Sequence, residues 1–138
     1  MNTPVSFELA KLLKEKGFDT IDCNGYYHIC NGYTKGYAHC YSDVNTQKED
    51  AILAPTIADV AMWLYDKHGI WINIYYKSKY KSWDYEYTNI NWSQEEADKK
   101  LEEDIHNLLD NIFNAKIKYN SPTEAYEAAI EYTLKNLI

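Results

Sequence analysis

The chain has no arginine; its fourteen basic residues are all lysine. Arginine's planar fork is the usual means of gripping phosphate, carboxylate or guanine with two parallel hydrogen bonds. Without it, anions must be held by lysine point charges or by backbone amides. Cysteine is scarce and odd in number, three in all, which fits a reducing cytosol better than a disulfide framework. Three prolines and five glycines are too few for a linker or a disordered tail. No apolar run approaches the length of a bilayer span, and the N-terminus lacks the basic and apolar regions of a signal peptide. Positive charge is also in deficit, with 21 acids against 14 lysines and a net charge of −7. Residues 1–92 hold 11 acids and 9 lysines, residues 93–138 hold 10 and 5, so the deficit lies mostly at the end. Duplex nucleic acid and anionic membrane are poor partners for such a chain.

Aromatic residues, by contrast, are abundant: fourteen tyrosines and four tryptophans in 138 residues. Their flat, amphipathic rings can stack on a ligand or anchor a partner. The joint excess of Lys, Asn, Ile and Tyr matches the codon bias of an AT-rich genome, so part of the tyrosine content reflects composition and not recognition. A chain of this length suits one domain, residues 1–138, folding without disulfides or metal.

Helix starts are written clearly. Thr3-Pro4 reads as N-cap and first helical residue, followed by Phe7, Leu9, Leu12 and Leu13 and a stop at Gly17. Thr56 with Asp59 three residues later is a capping box; behind it Ile57, Val60, Ala61, Leu64 and His68 share a face up to Gly69. Trp63 is expected on the outer side of that helix. Ser93 with Glu96 is a second box, followed by Ala97, Leu101, Ile105, Leu108, Leu109 and Ile112 at helical spacing. Ser121-Pro122 with Glu124 opens a last helix through Ala129, Ile130, Thr133, Leu134 and Leu137.

Between helices the period changes to two. Ile70, Ile72 and Ile74 alternate with Trp71, Asn73 and Tyr75, and Trp83 to Thr88 alternates aromatic with polar, the two joined near Lys77 to Ser82. Tyr26 to Cys30 and Tyr37 to Tyr41 read as another hairpin, with Asn31-Gly32 and Gly36 in its turn region. Ser42 to Ala54 reads as a loop. The expected fold is α+β, an antiparallel sheet of about four strands from two hairpins packed with four helices, in the order α-β-β-α-β-β-α-α.

The stretch Ser6 to Phe18, the block Ala54-Pro55-Thr56 with Trp63-Leu64 and Lys67-His68-Gly69-Ile70, and the closing Tyr126, Ala129 and Ile130 resemble small proteins of phages and prophages of gut Bacteroidales. The resemblance covers about two thirds of the chain and weakens over residues 31–50 and 95–119. It implies a phage accessory or counter-defence context in the cytoplasm of a bacterial host, and it implies no catalytic residues.

Candidate sites are few. Cys23, His28, Cys30, His39 and Cys40 are metal-ligand types, but their spacing lacks the close pairs zinc favours, and buried strand cysteines explain them better. A Cys30–His28 or Cys30–His39 nucleophile pair has no accompanying oxyanion or phosphate motif. Neither metal nor other cofactor is expected. The acids between Glu95 and Asp104 read as a solvated helix face, with a docking surface for a basic partner as the sharper alternative. The most informative group is the second face of the sheet, where Trp71, Asn73 and Tyr75, joined by His28, Tyr37 and His39, would form a stacking platform if no helix covers it. The expected activity is therefore non-enzymatic binding of a host protein or of a second copy of the chain. Capture of a small nucleotide between aromatic rings is the alternative, and a cysteine-dependent enzyme the least supported reading.

Overall fold

A computed structural model describes residues 3–18, 25–30, 33–39, 51–114 and 118–138. Among these described residues four helices and five strands follow in the order α1 (Phe7–Glu15), β1 (Gly25–Cys30), β2 (Tyr33–His39), β3 (Ala51–Leu53), α2 (Ile57–His68), β4 (Ile70–Lys77), β5 (Ser82–Asn89), α3 (Gln94–Asn114) and α4 (Pro122–Asn136). The class is α+β, as the alternating periods imply.

The helix ends carry the expected chemistry, with one shift. Thr56 and Asp59 close a complete capping box, the Thr56 hydroxyl accepting from the Asp59 N–H and the Asp59 carboxylate accepting from the Thr56 N–H. Ser93 and Glu96 reciprocate in the same way. Ser121 caps α4 with Pro122 at its first position. At α1 the cap is Ser6, not Thr3. The Thr3-Pro4 pair is used elsewhere: Val5 N–H donates to the Pro55 carbonyl and Ile57 N–H to the Thr3 carbonyl, tying the first residues beside the entry to α2. Gly17, at φ +82°, closes α1 in a Schellman turn, with Phe18 N–H reaching Leu13 O and Gly17 N–H reaching Lys14 O.

The strands form two sheets, not the single one expected. One has the order β2-β1-β3 and the other is the β4-β5 hairpin, all pairings antiparallel. β3 lies within the stretch expected to be loop; its three residues are too short a run to show a period. β2 begins four residues earlier than expected and takes Gly36 into its ladder opposite His28, next to a register irregularity.

The core gathers around α4. Its Ala129, Ile130 and Leu134 are buried with Leu9 and Leu13 of α1, Val60 and Leu64 of α2, and Ile70 and Ile72 of β4. Trp63 belongs to this core, contrary to the outward position expected, its ring edge-on to Phe18 at 5.4 Å and to His68 at 4.8 Å. Tyr27 holds the first sheet to the N-terminal segment, its hydroxyl donating to the Val5 carbonyl at 2.5 Å. No helix among the described residues is long and apolar enough to cross a membrane.

Candidate binding face on the C-terminal hairpin

Alternation fixes what each side of the β4-β5 hairpin meets. The register pairs Ile72 with Tyr87 and Ile74 with Tyr85 on the inner side, against α2 and α4. On this side Tyr87 stacks near Tyr132 at 5.5 Å and Trp92 at 6.0 Å, and Tyr85 lies 6.0 Å from Tyr119. The outer side pairs Trp71 with Thr88, Asn73 with Glu86, Tyr75 with Asp84 and Lys77 with Ser82.

That outer side is open at one end and closed at the other. Trp71 is 50 % exposed and Tyr75 37 %, with Asn73, Glu86 and Thr88 also at the surface. The Trp71 ring meets the half-exposed Tyr65 of α2 edge-on at 5.8 Å. Gly69 makes this contact possible: its positive φ turns the chain from α2 directly into β4, so residues six apart in sequence become neighbours. Asn73 Nδ2 donates to Glu86 Oε1 at 2.9 Å, which holds the polar centre of the face in a fixed arrangement.

At the closed end Asp84 and Ser82 are buried. The Asp84 carboxylate takes Lys77 Nζ at 2.5 Å and Lys118 Nζ at 3.5 Å, accepts from the Tyr85 N–H at 2.9 Å, and lies 3.5 Å from the Tyr75 hydroxyl. Lys77 also sits over the Tyr75 ring, 5.8 Å from its centroid. Lys118 arrives because Trp83 N–H donates to the Tyr119 carbonyl at 2.9 Å, adding a one-residue bridge to the free edge of β5. Ser82 Oγ is buried with no partner among the described residues.

These surroundings raise the phenol pKa values. Burial, followed by the charges of Asp84 and Glu86, pushes Tyr75 up to about 12; burial, with Tyr119 next, does the same for Tyr85. Tyr87 and Tyr119 shift in the same direction, chiefly by burial. At neutral pH all four remain neutral rings, suited to contact and hydrogen bonding and ill suited to proton transfer.

Of the six residues expected on the platform, Trp71, Asn73 and Tyr75 share this face. His28, Tyr37 and His39 lie in the other sheet, where Tyr37 pairs with Tyr27, His28 with Gly36 and His39 with Gly25. β1 and β2 are not hydrogen-bonded neighbours of β4, so the sheet does not extend the face to them. Cys23 and Cys40 lie outside the described residues. Sequence reasoning missed Tyr65, Lys77, Asp84 and Lys118. Asp84 occupies a polar position of an alternating strand and so reads as solvent-facing; nothing in the local pattern signals two lysines converging on it.

A groove of about 710 Å³ lies elsewhere, between α1 and α4. Glu8, Glu15, Glu124, Glu127 and Glu131 line it against Lys11 and Lys135, a balance that repels phosphate. No family model, curated protein or solved structure matches the chain.

Proposed function

We propose that this chain is a non-enzymatic binding protein, of the phage accessory kind its sequence resembles, which holds a protein of its bacterial host through the outer face of the β4-β5 hairpin. The observation that carries the reading is a half-exposed tryptophan, braced by Tyr65, on a rigid strand whose opposite side is packed into the core. Rigid aromatic area of this kind loses little conformational entropy on binding, and tryptophan is the residue most enriched among interface anchors. The face is acidic, with Glu86 at its centre and Asp104 of α3 near enough to act on the Tyr75 phenol, so the favoured partner presents an apolar knob beside lysine or arginine. Nucleotide capture draws on the same rings, but the lysine of this face among the described residues, Lys77, is engaged by Asp84.

Capture of host proteins on immobilised chain tests the reading, with Met62→Ser as a control for an equally exposed side chain that is not on the hairpin. Truncating a tryptophan anchor costs about 2 kcal/mol or more, roughly a thirtyfold loss of affinity. A protein retained by the parent chain and by Met62→Ser but lost from Trp71→Ser is the expected result. Identical capture by all three would refute the assignment.

A further inference from the structure

The β4-β5 hairpin ends in a charge opposite to that of the chain. Tyr76 to Trp83 hold three lysines, two tyrosines, one tryptophan and two serines, with no acid, in a protein of net charge −7. The acid that follows, Asp84, is buried and already holds Lys77 and Lys118. Lys79 and Lys81 are exposed, and neither is ion-paired among the described residues. Lys118 keeps 42 % of its side chain at the surface beside them.

Aromatic rings are set among these charges. Tyr76 is 51 % exposed and rests on the half-buried Trp83, its partner in the ladder, with ring centroids 5.2 Å apart and planes tilted by 56°. Tyr80 lies in the turn, with Lys79 Nζ 5.5 Å from its ring centroid. The turn is closed by Tyr80 N–H donating to Lys77 O at 3.1 Å and Lys81 N–H to Ser78 O at 3.4 Å. Lys81 stands there at φ +50°, the one non-glycine residue with positive φ among the described residues. Glycine would adopt that conformation at less cost but would bring no charge to the turn.

We propose that this tip is a contact site for single-stranded nucleic acid. Tyr76, backed by Trp83, stacks on an unpaired base, and Lys79, Lys81 and Lys118 meet the phosphates. Bases and phosphates alternate along such a strand as rings and ammonium groups alternate here, whereas an acidic peptide offers charge alone. Lysine binds phosphate as a point charge, so this contact does not require arginine. Tyr76 points to the opposite side of β4 from Trp71, so the site is independent of the host-protein reading.

Fluorescence anisotropy with labelled oligothymidylate and oligouridylate of about twelve nucleotides, titrated with the intact chain, tests the proposal. Saturable binding with a Kd of about 1–100 µM at roughly 50 mM salt is expected, and the tighter of the two strands identifies DNA or RNA as the source. With two or three phosphates neutralised, raising salt to about 200 mM should weaken binding roughly 7–20-fold. Tyr76→Ser should cost at least about fivefold, the loss of one stacked base. Lys81→Gly should weaken binding and lower the salt slope by about 0.7 while the urea midpoint stays at or above that of the parent, which separates lost charge from lost fold. Trp71→Ser and Lys135→Gln in α4 are expected to bind like the parent. No saturable binding, indifference to both Tyr76→Ser and Lys81→Gly, or loss of binding in Trp71→Ser would overturn the proposal. So would a glutamate oligopeptide that competes as well as unlabelled oligothymidylate, because the tip would then be reading charge without bases.

Discussion

Replacing Asp84 by asparagine removes the charge on which the closed end of the hairpin is organised, and the structure allows the cost to be worked out. The Asp84 side chain is 3 % exposed and Lys77 15 %, so the pair is largely withdrawn from water. Removing one member of a buried pair usually costs about 3–5 kcal/mol, most of it the penalty of leaving the other charge without compensation. Two features reduce that figure. The long stem of Lys77 can carry its ammonium toward water, and asparagine still accepts from the Tyr85 N–H through its side-chain oxygen. Lys118 is 42 % exposed and contributes little. The expected loss is therefore about 2–4 kcal/mol, with the Tyr75 ring losing its hold through Lys77 as well. Urea unfolding followed by tryptophan fluorescence measures it directly, since Trp83 adjoins the site and a change in midpoint at constant slope reports stability alone. Adding Lys77→Met to Asp84→Asn removes the orphaned charge. The double variant should lie at least about 1 kcal/mol above the sum of the single changes. A cost below about 0.5 kcal/mol for Asp84→Asn, or strict additivity in the cycle, would refute the claim that this pair organises the hairpin.

Two further outcomes follow from backbone geometry and from titration. Gly69→Ala should destabilise by about 1–3 kcal/mol in the same urea assay, because φ is +69° and the new Cβ would lie 2.6 Å from Asn91 Nδ2 and 2.9 Å from Ile90 Cγ1. Gly17→Ala, at φ +82° with nothing within 4 Å, should cost less, since only backbone strain is added. For the tyrosines the sign is set by a raised native pKa: Tyr75 and Tyr85 hold their protons to about pH 12, whereas an unfolded chain releases them near 10. Their contribution to stability is complete below pH 10 and is lost as pH rises from 10 to 12. Phenolate absorbance should therefore show a late phase near pH 12, accompanied by a falling urea midpoint; a single native titration near pH 10 would contradict it.

The residues that were legible in the sequence are those whose structure is decided within one turn or one strand. Thr56, Ser93 and Ser121 announce helix starts because a hydroxyl and a carboxylate three residues apart satisfy donors the helix itself cannot. Ile70 to Tyr75 shows which side of a strand is buried because successive side chains must alternate. Thr3-Pro4 misled because a cap and a chain crossing use the same residue types, and the choice was made by Pro55 and Ile57, fifty residues away. The division into two sheets was hidden because alternation records which face of a strand is buried and not which strand lies beside it. Trp63 was misplaced because its partner Phe18 lies beyond the helix that carries it.

The α3 stripe shows the same boundary from the other side. Its periodicity is correctly helical, yet periodicity gives the width of an apolar face and not the direction in which it points. Among the described residues of α3, Lys100 lies over the Tyr87 ring and pairs with Asp104, while Leu101, Ile105 and Leu109 are exposed. Local terms support its first turns: the Ser93–Glu96 box, the bond from Gln94 Nε2 to Asp98 Oδ1 at 2.9 Å, and the Lys100–Asp104 pair. Terms of this kind give a few tenths of a kcal/mol to about 1 kcal/mol each. The Trp71 face stands on the opposite footing, because strand, core and Tyr65 fix it in the single chain. Trp71→Ser should therefore abolish host-protein capture and leave the urea midpoint of the chain within about 0.5 kcal/mol of the parent, because the exposed ring contributes to the surface and not to the core.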